Sequence, residues 1–331
     1  MPTFTLDPVD ALSITVLMDN VADALAPDDG PAKRGGGLAS ASTGRPPLLH
    51  ASTLETGQVA DALLAEHGFS ALVTAVKGDA KHHLLFDAGT TPDGVSENMR
   101  RLGVDAKDVE VVVLSHGHFD HTTGMDGFIR AVGRPNLPVV IHPEFWTRRR
   151  IAIPGRDAVE LPSTSRAALT GAGFEIVEER QPSFLFERSL LITGEVDRTT
   201  EFERGFPIHQ ARRDGAWQPD PLILDDQALI AHVRDKGLVV LTGCGHAGVV
   251  NIVRYAKKLT GIEDVYAVIG GFHLVGPLFE PVMPPTVAAL AEIGPRFMVP
   301  AHCTGWRAQL ALANALPDRY IQNTVGTRYE L

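Results

Sequence analysis

Ser115-His116-Gly117-His118-Phe119-Asp120-His121 places three imidazoles and a carboxylate within six positions. Imidazole nitrogen and carboxylate oxygen are the donors that Zn²⁺ and similar borderline ions take. In an extended turn, alternation lets His116 and His118 face one point. Asp120 and His121 come round as the chain enters a helix near Gly124, and face a second point a few Å away. Residues 109–114, just before the loop, read as a strand buried on both faces. The loop therefore leaves the end of a central strand.

Working outward, three more apolar strands run through a small-residue turn into a histidine. They are Val239-Val240-Leu241-Thr242-Gly243-Cys244-Gly245-His246, Ala267-Val268-Ile269-Gly270-Gly271-Phe272-His273 and Phe297-Met298-Val299-Pro300-Ala301-His302. In open α/β sheets ligands bind at the carboxyl ends of strands. Four histidines delivered to that edge by separate strands can converge, and the Gly and Ala before them leave room for sharp turns and a bound ion.

The remaining elements fit around these. Strands are expected at 13–18, 71–76, 83–86, 138–141, 238–241, 265–269 and 297–299. Helices are expected at 96–102, 163–172, 249–259 (closed by Gly261) and 286–293. The alternating stretches 175–178, 184–192 and 228–233 suggest an antiparallel region. Strand–helix alternation favours an α/β layer structure with the helices outside. Residues 26–58, rich in Gly, Pro, Ser and Ala, lack helical or strand periodicity and are expected to form a lid or flexible insertion.

Composition bounds the function. The chain has 331 residues, 44% hydrophobic and 21% charged, as soluble globular proteins do. A net charge of −10 argues against a polyanion partner, since phosphate contacts need clustered Lys and Arg. The densest basic run, Arg148-Arg149-Arg150, reads as a solvated helix end. Neither nucleic acid nor membrane is expected as a partner: no apolar run reaches the length of a membrane span. Residues 1–10 do not read as a signal peptide. Cys244 and Cys303 are expected to be free thiols in a reducing cytoplasm.

Together these motifs resemble the metallo-β-lactamase superfamily, whose hallmark is a His-x-His-x-Asp-His loop after a buried strand. Leu85-Phe86-Asp87-Ala88-Gly89 is similar to the family's apolar–Asp–small–Gly element, in which the Asp supports the ligands. In finer detail the chain resembles the dihydropterin-synthase-like subfamily, related to a methanopterin-pathway enzyme. The shared features are Val16-Leu17-Met18-Asp19-Asn20, Glu66-His67-Gly68-Phe69-Ser70, the turns from Thr242 to Gly248 and Gly270 to Leu274, and Val299-Pro300-Ala301-His302-Cys303. The resemblance implies an αββα sandwich of two mixed sheets with outer helices, formed by residues 1–331 as one domain. It also implies that His116 and His118 hold one metal, that Asp120 and His121 hold a second, and that His302 completes the second site. Many members carry a bridging Asp after a later strand, where this chain has the Cys244-Gly245-His246 turn. His246 then supplies the first site's third histidine, and Cys244 replaces the bridging carboxylate as a thiolate. Asp225 or Asp226 is a further candidate contributor.

The expected function is metal-dependent hydrolysis of a small ester, lactone or phosphoester by a metal-bound hydroxide. The cofactor is one or two Zn²⁺ ions, with Mn²⁺ or Fe²⁺ as alternatives. Asp120 orients the nucleophile or shuttles its proton, and His273 protonates the leaving group. Glu66, His67, Asp19 and Asn20 are expected near the site as support, and His82 and His83 at the surface. His142 is left out as a ligand, and His50, His209 and His232 stay unassigned. Two other readings remain: a pterin-linked synthase, as the subfamily suggests, and a non-enzymatic sensor that binds a ligand at the metal site.

Overall fold

Leu84 and Phe86 pack into one hydrophobic cluster and Leu85 into another, and all three are fully buried. Val239 and Leu241 divide from Leu238 and Val240 in the same way. A strand whose alternate side chains enter two different cores must be covered on both faces, which is why these runs are apolar throughout. The computed structural model, which describes residues 3–35, 47–133 and 136–331, builds two such sheets.

The first sheet has eight strands, in the order Phe174–Glu178, Leu137–Ile141, Val111–Val113, Ala80–Phe86, Ser70–Lys77, Ala11–Met18, Thr327–Glu330 and Ala32–Arg34. Its first four strands are parallel and the rest antiparallel. The second has six, in the order Ser183–Leu185, Leu190–Ile192, Ala228–Val233, Gly237–Thr242, Val265–Gly271 and Phe297–Ala301, the last three mutually parallel. Between the sheets lies a core of Val16, Val73, Phe86 and Val113 against Leu229, Leu241, Ile269 and Val299. Met99, Phe128 and Leu169 from helices cover the outside of the first sheet; Val250, Val253, Leu290 and Leu312 cover the second. The result is the expected αββα sandwich of two mixed sheets.

Details depart from the sequence expectation. Residues 175–178 do not join an antiparallel region; Phe174–Glu178 runs parallel to Leu137–Ile141 at the sheet's edge. Glu175 and Glu178 are exposed while Phe174 is buried, so the alternation reports one open face and not the direction of the partner. The helix expected over 163–172 is shorter, Arg166–Gly171, because Ser165 caps it by accepting from the Ala168 amide. Within the 26–58 insertion, residues 36–46 lie outside the described residues. Its flanks are regular: Ala32–Arg34 completes the first sheet, and Leu48–His50 pairs with Gln58–Ala60. His82 and His83 are half-buried, His82 stacked on Phe186. Among the described residues, no helix is long and apolar enough to cross a membrane.

Candidate metal centre

The two parallel blocks end at a common edge, where the Gln227 amide donates to the Ser115 carbonyl at 3.0 Å. Loop 115–121 leaves the Val111–Val113 strand there. The Cys244-Gly245-His246 turn, His273 and His302 leave three strands of the other sheet at the same place. Close approach dictates the glycines. A Cβ on Gly117 would collide with the Phe145 carbonyl, and one on Gly243 with the Ser115 hydroxyl and the Asp87 carboxylate.

Asp87, buried and held at φ 58°, organises the loop. Its carboxylate accepts from the Ser115 amide, the Ser115 hydroxyl and His121 Nδ1, each at 2.7 Å. These bonds fix a proton on Nδ1 of two rings. The Ser115 hydroxyl donates to Asp87, so it accepts from His116 Nδ1 at 2.9 Å and leaves His116 Nε2 bare. His121 donates from Nδ1, which leaves its Nε2 facing Cys244 Sγ at 3.1 Å.

Two sets of donors result. His116, His118 and His246 form one, with His118 Nδ1 lying 3.0 Å from His116 Nε2 and 3.2 Å from His246 Nε2. Asp120, His121, Cys244 and His302 form the other, with His302 Nε2 at 3.3 Å from Asp120 Oδ2. Cys244 also groups with His246 and His273, so its sulfur stands between the two sets. The seven residues expected as ligands therefore come together in space. Asp225 and Asp226 lie behind them: Asp225 accepts from the Gly117 amide and Asp226 from the Ala247 amide, each at 2.8 Å.

Burial, reinforced by the crowding of the rings on one another, holds the pKa of His116, His118 and His246 well below the usual value, so these rings are neutral donors. Burial opposes charge on His121 too, but the Asp87 and Asp120 carboxylates outweigh it and push its pKa up to about 9. At Asp120 burial is overcome by His121 and His302, which hold the carboxyl well below the usual range.

The donor set fits a divalent cation. Ligands bonded at about 2.0–2.1 Å in a tetrahedron stand about 3.3–3.4 Å apart, close to the spacings of the first set. Buried His302 Nε2 finds no hydrogen-bond partner among the described residues, and neither does His246 Nδ1. An orphaned nitrogen in a polar cluster is costly unless something else satisfies it.

The supports expected from sequence lie nearby. Asp19 Oδ1 accepts from the His302 amide at 2.8 Å, and Asn20 Oδ1 lies 3.2 Å from His302 Nδ1. Glu66 accepts from the Thr90 and Thr91 amides, while His67, largely exposed, stands 3.6 Å from Asp120 Oδ2. His273 (φ 41°) packs its ring 4.1 Å from that of His246, between Phe206 and Phe279. A cavity of about 30 Å³, lined in part by His246, Phe272, His273 and Phe279, adjoins it. His142 caps a short 3-10 turn and belongs to neither donor set. Sequence reasoning missed His209, which is fully buried with its Nε2 2.9 Å from His118 Nε2. It follows Phe206-Pro207-Ile208 and opens the His209–Arg213 strand, without the small-residue turn that marks the others. Cys303 is free and buried, as is Cys244.

The model of the metallo-beta-lactamase superfamily matches residues 67–257, which takes in loop 115–121 and His246 and ends before His273 and His302. The 7,8-dihydropterin-6-methyl-4-(beta-D-ribofuranosyl)-aminobenzene-5'-phosphate synthase of Methanocaldococcus jannaschii is 31% identical over 255 residues, 74% of this chain and 83% of that one. A 78-residue stretch is 37% identical to ribonuclease Z of Thermobifida fusca, covering 22% of this chain and 24% of the other. Among solved structures, a metal-dependent hydrolase of the beta-lactamase superfamily superposes with a TM-score of 0.69 at 23% identity, over 97% of this chain and 99% of that one.

Proposed function

Because this chain belongs to the metallo-beta-lactamase superfamily, we propose that it is a metal-dependent hydrolase of a small ester, lactone or phosphoester. The observation that carries this reading is the meeting of seven donor side chains in two sets, with Cys244 between them. His116, His118 and His246 would hold one ion; Asp120, His121, Cys244 and His302 would hold a second. Nitrogen, oxygen and sulfur donors together favour zinc over Mg²⁺ or Ca²⁺, with Mn²⁺ or Fe²⁺ as substitutes. The chemistry such ions supply when bound is Lewis acidity, which polarises a substrate oxygen and makes a water acidic near neutral pH.

The chain's own groups do the rest. Asp120 stays ionised and keeps a little exposure, so its Oδ2 can accept a water proton and orient the nucleophile. Asp87, Ser115 and Asn20 hold the rings of His121, His116 and His302 through Nδ1 and so orient each Nε2. His273, whose Nδ1 has no partner among the described residues, gives a proton to the leaving oxygen. The substrate is a small molecule, and the acidic chain acts in the cytoplasm.

Elemental analysis of the purified chain, followed by an ester, lactone and phosphodiester panel with the metal found, tests this reading. His116→Ala and His121→Ala should lose both metal and turnover. Full turnover in a metal-free double variant would sink it. A second reading, pterin-linked synthesis, is favoured by the 31% identity to the M. jannaschii synthase over most of its length. Mass spectrometry of products from a dihydropterin substrate separates the two: a condensation product supports synthesis, and water addition alone supports hydrolysis.

A further inference from the structure

The geometry points to His209 as a positioning residue: backed by Asp220, it fixes the ring of His118 in the one tautomer that turns a bare nitrogen toward His116 and His246. The inference rests on the metal-centre reading above and extends it to a residue outside both donor sets.

His118 presents Nδ1 to its neighbours. A neutral imidazole carries one proton, so Nδ1 is free to bind only if the proton sits on Nε2. That Nε2 lies in the interior, 2.9 Å from His209 Nε2, and needs an acceptor there. His209 accepts at Nε2 only if its own proton is on Nδ1. His209 Nδ1 lies 3.3 Å from the Asp220 backbone oxygen and 3.6 Å from its carboxylate, two groups that take a proton and give none. The proton order is therefore dictated from the far end: Asp220 draws the His209 proton to Nδ1, and His209 draws the His118 proton to Nε2. In the opposite order, His118 would aim an N–H at the bare Nε2 of His116 and would no longer be a donor.

The chain is held rigidly. His209 opens the His209–Arg213 strand, paired to Arg149–Ile151, and its ring stacks on Phe206. Asp220 receives Arg149 Nε at 3.2 Å and Arg213 Nη2 at 3.4 Å. The same Arg149 guanidinium binds Asp225, whose Oδ2 takes the Gly117 amide. One buried cation thus ties down both the ring behind His118 and the backbone before it. His209 and His118 do not form a donor set of their own with a third residue among the described ones. Orientation, not ligation, is what His209 supplies. Partners of this kind typically change metal affinity roughly 10–100-fold when lost.

Cobalt(II) titration of the full chain, with a competing chelator, tests the assignment in wild type, His209→Ala and His209→Gln. Cobalt at the histidine set is read by its ligand-field absorption, and cobalt at Cys244 by the thiolate charge-transfer band. Melting of the metal-free proteins reports folding. His209→Ala should weaken the histidine set roughly 10–100-fold while the thiolate band titrates as in wild type. His209→Gln, with an oxygen to accept from His118 and an N–H for Asp220, should restore affinity to near wild type. Wild-type affinity in His209→Ala overturns the role, as does a His209→Gln variant that melts normally but binds as weakly as His209→Ala. If His209→Ala does not fold, His209→Gln decides alone: near-normal affinity supports the role and a loss overturns it. A wild-type chain that takes up no cobalt overturns the metal centre itself, and the role of His209 with it.

Discussion

Cys244 stands between two donor sets otherwise built from nitrogen and oxygen, and a thiolate there differs in kind from a carboxylate. It is softer, binds one ion strongly through a single atom, and must lose a proton to do so. Burial pushes the Cys244 thiol up, so without a cation it is neutral. Replacing it with serine keeps the size and removes the thiolate. Cys244→Ser should leave the histidine set loaded and empty the Asp120–His121–His302 set, halving metal per chain in elemental analysis; two ions per chain in the variant would show that the sulfur is dispensable. Asp226 allows a prediction in pH. Burial pushes its pKa up to about 7, with its Oδ1 unpartnered among the described residues. An aspartate that ionises near 3.9 when unfolded then holds its proton more tightly in the native state. Native stability therefore falls as pH climbs from about 4 to 7 and is level above that. Asp226→Asn removes this term, so the melting temperature of metal-free Asp226→Asn relative to wild type should rise between pH 5 and 8; a constant difference would contradict the assignment. At this scale the candidate site was largely legible in sequence. The residues of loop 115–121 are close together in the chain, and His246, His273 and His302 each follow a strand and a small-residue turn. His209 carries no such mark, because it reaches the site through pairing between distant strands.

Elements differ in how much burial they carry, and this decides which of them matter to stability. Leu241 lies in a central strand and faces the core between the sheets, fully buried. Val159 sits in a two-residue edge strand and is 63% exposed. Leu241→Ala removes buried methyl groups and leaves a cavity, which should cost about 2–5 kcal/mol. Val159→Ala should stay within about 0.5 kcal/mol. Denaturant unfolding of the metal-free proteins measures both, and equal effects would mean the inter-sheet core is not the main source of stability. The same contrast explains which elements were readable. Strands buried on both faces, such as Gly237–Thr242, advertise themselves as continuous apolar runs. The Thr327–Glu330 strand and the His209–Arg213 and Ala216–Pro219 hairpin hold charged or polar residues and were not foreseen. Trp306–Ala315 was missed as a helix because it buries little more than Ala308 and Leu312.

Across the whole molecule, the donors divide by sheet. His116, His118, Asp120 and His121 follow a strand of the eight-stranded sheet, while Cys244, His246 and His302 follow strands of the six-stranded one. Each donor set draws on both: His246 joins two rings from across the sandwich, and Cys244 and His302 join Asp120 and His121. An ion in either set would therefore be a bond between the two halves, at the edge where both sheets deliver their donor side chains. Binding the native state alone should stabilise it by about 2.7 kcal/mol at a free ion concentration one hundred times Kd. Chelation should accordingly lower the melting temperature by several degrees. The location of the effect is more diagnostic than its size. Amide exchange in loops 115–121, 243–248 and 301–304 should quicken together on stripping, because each loses its cross-sheet tie. Residues 239–241, held by backbone ladders on both sides, should keep their protection. If stripping a chain of verified metal content speeds only one loop, the ion is held by a single sheet, and the two-sided centre is wrong.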